Sequence, residues 1–376
     1  MIHRIRIQNF KSLRDVTVDL SPVTVFVGRS GTGKTNFASA IRFLRDYLAF
    51  GPQPNFPQQQ HLFKCATDPS GAIGFEVEFD VPGFTDRFVY ALTLDERNIA
   101  TPPRMESLEY GDRTVFRQGR QDRQGVRDWV WEAEPPLVPP PQAGPVALGR
   151  LPGLEEVVVA YSALTTGIGV YAFTYSVLTA PTGGAAVSGL ADDGGNFLGV
   201  LRQIATGLHD ITPRKGIAAT LRRINPTVVS LEIDSLRDPQ KVIVAHRLKD
   251  KILPLELRQE SDGFRRFYAH LLAVYQTPPK QTLVFEEPEN GIYPGALELL
   301  ADEFKAAPDA GRGQVLLTTH SPALLDQFSS EHIRVVKLVD LETRIGPLAE
   351  EQREALSEEL LHAGELLTVD PARLRA

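Results

Sequence analysis

Residues Gly28-Arg29-Ser30-Gly31-Thr32-Gly33-Lys34-Thr35 fit the pattern G-x-x-x-x-G-K-[ST]. Its chemistry is that of a phosphate cradle. Glycines let successive backbone N–H groups curl around an anion, and the start of a following helix adds partial positive charge. On this reading Lys34 reaches the β- and γ-phosphates of a nucleotide, and the Thr35 hydroxyl ligates Mg²⁺. The context agrees. Val23–Val27 is a continuous apolar run, as a covered central strand should be. Phe37, Ala40, Ile41 and Leu44 then share one face of a helix from about Gly33 to Leu48. The full motif in this context outweighs the simpler reading of a glycine-rich turn that opens a helix. By itself it specifies a purine nucleotide, ATP first, and leaves the reaction open.

The second half of the chain narrows the choice. Leu283-Val284-Phe285-Glu286-Glu287-Pro288-Glu289 reads as a buried strand ending in carboxylates. After a phosphate loop, the acid at the strand end (Glu286) is expected to hold Mg²⁺, and the next (Glu287) to orient or deprotonate the attacking water. Val315–Thr318 is another apolar strand that runs on to His320. Ser321-Pro322 is a good helix start, which leaves His320 unexplained at a strand's carboxyl end, where it can donate to the γ-phosphate. Ser261-Asp262-Gly263 opens a further helix. Ser261 is either an N-cap and nothing more, or part of a second phosphate-binding helix start that acts on a nucleotide held by another subunit.

The elements that must position these residues follow from the periodicity. Ile5 and Ile7 alternate with Arg4 and Arg6, and Val16, Val18 and Leu20 form a second alternating strand. Residues 73–132 carry short alternating strands at hairpin spacing, which predicts an antiparallel sheet. Pro135 to Pro145 is a stiff connector, and 180–195, rich in Gly and Ala, is read as flexible. Helices are predicted over Asn196–Leu208, Arg214–Ile224 and Ser261–Tyr275, with strands at Val228–Ile233 and Val242–Ala245. Strand–helix alternation over 282–340 predicts a parallel, helix-covered sheet. A strand near Ile333–Leu338 and a helix near Ala349–His362 finish the chain. The fold class is α/β.

Composition excludes several classes. With 376 residues, 42% hydrophobic and 23% charged, the chain is globular. It has no apolar run of membrane-spanning length and no secretory signal pattern at its start, and membrane association is not expected. A single cysteine, Cys65, rules out an intrachain disulfide framework and a multi-cysteine metal site, and a cytoplasmic setting is expected. The net charge of −7 excludes a general polyanion binder. Two local basic clusters remain, Arg113, Arg117, Arg120, Arg123 and Arg127, and Arg202, Arg214, Lys215, Arg222 and Arg223. Each is either a DNA-contacting surface or a set of solvated arginines.

Phosphate loop, serine–glycine helix start, double-acid strand and strand-end histidine come in the order of the ABC-type ATPases. The chain resembles their RecF/SMC-like branch, specifically the compact AAA-family ATPases related to the OLD family. Ile5-Arg6-Ile7-Gln8-Asn9-Phe10-Lys11-Ser12-Leu13, Asn36 after the phosphate loop, and Glu286-Glu287-Pro288-Glu289-Asn290-Gly291 before Pro294 carry that resemblance. It implies a P-loop NTPase head with a mixed or parallel helix-covered sheet, an antiparallel β subdomain and a helical subdomain. The expected divisions are an N-terminal lobe over 1–180, a helical and strand subdomain over 181–258 and a C-terminal lobe over 259–376. It further implies that two copies pair head to tail around ATP and Mg²⁺. Gly28 to Asn36 with Glu286, Glu287 and His320 of one chain would then meet Ser261 and Gly263 of the other. Four positions depart from the usual pattern: Glu286 for aspartate, Asp262 within the serine–glycine signature, Glu260 for leucine, and Tyr293 for histidine. A glutamine that positions the attacking water is expected among Gln58, Gln59 and Gln60.

OLD-type relatives carry a C-terminal Toprim nuclease, and the residues after Asp340, Leu341 to Ala376, are too few for one. The expected function is therefore an ATP-hydrolysing switch in DNA maintenance or anti-phage defence, working with DNA or with a separate nuclease or toxin subunit. The rivals are the ATPase subunit of a membrane transporter and a nucleotide-holding scaffold with little hydrolysis.

Overall fold

The computed structural model describes residues 1–51, 62–94, 105–123, 126–133, 155–174, 176–179, 189–206, 212–234 and 241–375; of 120–123, 126–133, 205, 206 and 212 only the backbone is described. In chain order the elements are β1 (Ile2–Phe10), β2 (Leu13–Asp19), β3 (Val23–Val27), α1 (Lys34–Phe50), β4 (Ile73–Phe79), β5 (Phe88–Leu94), β6 (Met105–Tyr110), β7 (Arg113–Arg123) and β8 (Val126–Ala133). Then come α2 (Glu155–Leu164), β9 (Ile168–Tyr171), α3 (Phe197–Thr206), α4 (Thr212–Ile224), β10 (Val228–Asp234), β11 (Lys241–Leu248), β12 (Lys251–Glu256) and α5 (Asp262–Tyr275). The last are β13 (Thr282–Glu286), α6 (Pro294–Asp309), β14 (Gln314–Thr319), α7 (Pro322–Leu325), β15 (Ile333–Val339), β16 (Glu342–Pro347) and α8 (Glu350–Ser357). They fall into two compact units, Met1–Ile168 with Ile333–Ala355 and Ala372–Ala376, and Gly169–His332 with Leu356–Pro371.

The first unit contains a seven-stranded antiparallel sheet in the order β2-β1-β4-β5-β6-β7-β8. Alternation decides its faces. Ile5, Ile7 and Phe10 of β1 are buried, while Arg4 and Arg6 face outward and donate to Asp19 (2.6 Å) and Asp15 (2.8 Å) of β2. Phe10 packs with Phe43, Phe63 and Phe75, ring centroids 5.3, 6.0 and 6.1 Å away. Each ring removed from water contributes roughly 1.5–3 kcal/mol. In the same unit β3, buried along its whole length, pairs in parallel with β15, and β15 turns back into β16. Glu106 of β6 is fully buried. It accepts from Tyr90 (2.7 Å), Gln118 (2.6 Å) and Tyr161 of α2. Burial pushes its carboxyl above the usual range against those three hydrogen bonds.

The second unit holds two groups of strands. β10, β11 and β12 form an antiparallel sheet with β12 at its edge. β13 and β14 pair in parallel, joined through α6, with β9 on the other side of β13. The predicted parallel, helix-covered pairing is found. Phe285 of β13 stacks on Phe304 of α6 (4.6 Å) and Tyr171 of β9 (5.4 Å), and His270 of α5 fills the gap beside Phe173 (5.0 Å). The C-terminal helix is shorter than predicted. It stops at Ser357, and Glu359 adopts a left-handed conformation (φ 57°) in the turns that follow. Among the described residues no helix is long and apolar enough to cross a membrane.

Candidate functional site

The phosphate loop leaves β3 at Val27 and enters α1 at Lys34, within the first unit. Gly33 is the hinge. Its φ of 108° is left-handed, and a Cβ there would lie 2.0 Å from Thr343 Oγ1. Lys34 is 5% exposed, and its Nζ donates to the carbonyls of Gly28 (2.8 Å) and Arg29 (3.1 Å). The ammonium is thus folded back across the loop that its type and spacing predict it to serve. Thr35 is exposed, and its hydroxyl has no partner among the described residues.

Residues outside the motif hold the loop in place. Asn36 Nδ2 donates to Ser12 Oγ (2.7 Å). Ser12 lies 2.6 Å from Thr343 Oγ1, which donates to the carbonyl of Thr32 (2.8 Å). With Asn36 and Thr32 fixing the two ends, the Ser12 hydroxyl donates to Thr343, and the chain runs in one direction. It ties the turn after β1 and the β15–β16 hairpin to the loop backbone. Thr343, which is 1% exposed, went unnoticed in the sequence because it belongs to a short polar strand far from the motif.

The carboxylate and histidine sites lie in the second unit. β13 delivers Glu286 opposite Thr318 of β14. At the next residue the chain turns sharply. Glu287 has φ 46°, a conformation rare for a side chain other than glycine, and its N–H donates to Thr318 O (3.1 Å). Holding a residue there costs about 1–3 kcal/mol, and such strain gathers at functional positions. The turn aims Glu287 at the end of β14, where Oε1 lies 3.5 Å from His320 Nε2. Both side chains are about one-third exposed (38% and 33%), so this pair is open to a ligand. Glu287 Oε2 also accepts from Asn290 Nδ2 (2.8 Å).

Glu289 is a residue whose role the sequence did not disclose. Its Oε1 accepts from Thr319 Oγ1 (2.8 Å) and from the backbone N–H groups of His320 (2.7 Å) and Ser321 (3.1 Å). It therefore fixes the backbone that carries His320. Its presence in the E-P-E-N-G run was the only available signal.

The start of α5 is built against the same turn. Ser261 is the N-cap, accepting from Phe264 N (3.2 Å), and remains exposed. Gly263 packs so closely that a Cβ would lie 2.8 Å from Gly291 O. Arg266 Nη1 donates to Asn290 O (2.6 Å). Two departures from the usual pattern acquire partners here. Asp262 pairs with Arg266 Nε (3.0 Å), and Glu260 Oε1 meets His246 Nε2 of β11 (2.7 Å). Tyr293 is 77% exposed. Gln58, Gln59 and Gln60 lie outside the described residues. Among the described residues no three histidine, cysteine, aspartate or glutamate side chains gather to hold a metal. A magnesium ion that takes ligands from phosphate and water needs no such cage.

Two stretches of the chain match family models: residues 1–101 the one described as "AAA ATPase domain", and residues 199–326 the one described as "AAA domain, putative AbiEii toxin, Type IV TA system". No curated protein matches the chain in sequence. Solved structures match nearly all of it. An SMC head bound to the C-winged helix domain of ScpA superposes with a TM-score of 0.54 at 13% identity, covering 93% of this chain and 99% of its own. An SMC head with an extended coiled coil, bound to the C-terminal domain of ScpA derived from Pyrococcus furiosus, gives 0.54 at 12% identity, covering 96% and 99%. The SMC head domain from Thermotoga maritima gives 0.50 at 12%, covering 92% and 98%. The fold is that of an SMC head domain. In this chain the predicted residues form two groups. Gly28 to Asn36 lie in the first unit, and Ser261, Gly263, Glu286, Glu287 and His320 lie in the second, where Glu287 meets His320 and Gly263 meets the turn after Glu289.

Proposed function

We propose that this head binds ATP at Gly28–Asn36, hydrolyses it with Glu287 and His320, and uses it as a switch that joins two copies head to tail. The observation that carries the reading is the Glu287–His320 pair. A carboxylate is held by a strained turn, 3.5 Å from a histidine, at the ends of two parallel strands. In that geometry Glu287 takes a proton from the attacking water as its oxygen bonds the γ-phosphorus and the bond to ADP breaks, while His320 donates to a γ-phosphate oxygen. Thr35, exposed and with no partner for its hydroxyl among the described residues, and the strand-end Glu286 are each assigned to Mg²⁺, which when bound would supply charge neutralisation on the phosphates. Ser261 and Gly263, at an exposed helix start, are assigned to the γ-phosphate of the opposing copy.

The partner is a separate protein, and the role lies in DNA maintenance or anti-phage defence. Two similar SMC heads were solved with a ScpA domain bound, and one matching family model is described by a toxin–antitoxin system. Direct DNA contact through the first basic cluster has less support, because Arg113 and Arg117 are paired with Glu156 (2.5 Å) and Glu109 (3.7 Å). The side chains of Arg120, Arg123 and Arg127 lie outside the described residues.

Lys34→Ala tests the reading. Loss of its charge-assisted contacts is expected to weaken binding of a fluorescent ATP analogue by about 10–100-fold. Glu287→Gln is expected to keep binding while hydrolysis falls by roughly 100-fold or more. Hydrolysis that survives both substitutions contradicts the assignment; nucleotide binding without hydrolysis in the unsubstituted chain returns it to the scaffold reading.

A further inference from the structure

Within the second unit, a cavity of about 970 Å³ opens among α3, α4, β10, β11 and α5. That is the upper end of the range that holds small ligands. Its walls are aliphatic, with Ile204, Ile217, Leu231 and Val242 among them. Its polar features are few and uneven. Tyr268 of α5 lines it at 1% exposure, and its hydroxyl has no hydrogen-bond partner among the described residues. An acceptor on a ligand in the cavity can take the hydrogen bond that this hydroxyl offers.

Arg214 and Lys215, in the first turn of α4, also border the cavity, are exposed, and have no acidic partner among the described residues. Arg222 also lines the cavity, but it and Arg223 already have partners. Arg222 donates to the carbonyls of Val228 (3.3 Å) and Val229 (2.6 Å), and Arg223 pairs with Asp302 (3.7 Å). The acidic Glu232 at the rim accepts from Ser230 (3.0 Å). A nucleic-acid backbone would use the cations and leave the aliphatic trough empty; a neutral oil would do the reverse.

We propose that this cavity binds a small anionic amphiphile and acts as an effector site for the start of α5. The apolar body lies against the aliphatic walls, an acceptor meets Tyr268 Oη, and the anionic group meets Arg214 and Lys215. The elements that line the cavity also reach Ser261. Thr227, just before β10, lies 2.8 Å (Oγ1) from His246 Nδ1 of β11, and His246 Nε2 lies 2.7 Å from Glu260 Oε1. Glu260 precedes Ser261, and its carbonyl accepts from Arg265 Nη1 (2.6 Å). A ligand that moves β10, β11 or Tyr268 therefore acts on the backbone donors at that helix start. The effector role rests on the ATP-switch reading; the binding site does not.

The test uses the full chain without nucleotide and 8-anilino-1-naphthalenesulfonate, an aromatic sulfonate, as the probe. Saturable one-to-one binding is expected, with a cationic apolar dye of similar size binding far more weakly. Arg214→Glu with Lys215→Glu, both at exposed positions, should weaken the sulfonate about tenfold, the scale of one charge-assisted contact. Ala218→Trp, which fills the cavity from α4, should abolish binding. Equal binding of the two dyes, or binding unchanged in either variant, overturns the site. Absence of saturable binding by the folded chain also overturns it and leaves the groove to a protein partner. Amide hydrogen exchange at 262–266 should slow when the probe binds; exchange unchanged at saturation overturns the effector role. Neither measurement depends on ATP, so a failure of the nucleotide reading appears separately, in Lys34→Ala.

Discussion

Glu289 holds one hydroxyl and two backbone N–H groups on a single oxygen, and its other oxygen, Oε2, is buried without a partner among the described residues. Hydrogen bonds to a charged acceptor are worth about 1.5–3 kcal/mol each, so this carboxylate is what fixes the backbone under His320. It acts through His320 and is a positioning residue. Glu289→Ala is expected to lower kcat about tenfold with KM for ATP little changed, and Glu289→Gln, which keeps an acceptor oxygen, to recover most of the loss. Equal loss in both variants, with KM rising in step, would mean a general packing defect. The sequence announced Glu286 and Glu287 because an apolar run ended in them. It gave Glu289 no such mark, since its partners Thr319, His320 and Ser321 arrive at the end of β14 and just after it, about thirty residues later. Glu260 and His246 were hidden in the same way, by pairing that only the folded sheet creates.

At the scale of elements, α5 carries the helix start at one end and packs His270 against Phe285 of β13 along its length (5.4 Å). His270 donates Nδ1–H to Arg266 O (2.7 Å), and burial pushes its protonation down from 6.5 to about 4. The unfolded chain therefore binds a proton more readily. The residue's contribution is intact above about pH 6.5 and is lost as pH falls towards 4, by up to about 1.4 kcal/mol per pH unit. Denaturant midpoints should fall across that window and fall less steeply in His270→Gln; identical slopes would contradict the placement. Elements with a clean period were legible in the sequence, among them β1, β3, α1, α5, β13 and β14. Those missed have physical reasons. β12 contains Pro254, tolerated because it is an edge strand. β16 is polar and contains Gly346 and Pro347, and its hairpin turns on Asp340 and Leu341 (φ 51° and 65°) where Asn-Gly would have given the signal. α2 buries Val157, Ala160, Tyr161 and Leu164 on one face, but the run Val157–Val159 masks that spacing.

At the scale of the molecule, the chain builds its first unit, builds most of the second, and then returns to the first through β15 and β16. The return also supports the Gly28–Thr35 loop, because Thr343 on β16 donates to the carbonyl of Thr32. The Gly28–Thr35 loop and the Glu287–His320 pair belong to different units, and the exposed start of α5 is assigned to a second copy. On the proposed reading, ATP joins two copies of the chain. Light scattering of Glu287→Gln with and without ATP and Mg²⁺ tests it most directly, because slowed hydrolysis lets the nucleotide-bound form accumulate. The mass of one chain is expected without nucleotide and of two with it, the increase being lost when Ser261→Arg is added. A mass that ignores ATP would contradict the claim, and with it the role assigned to Ser261 and Gly263.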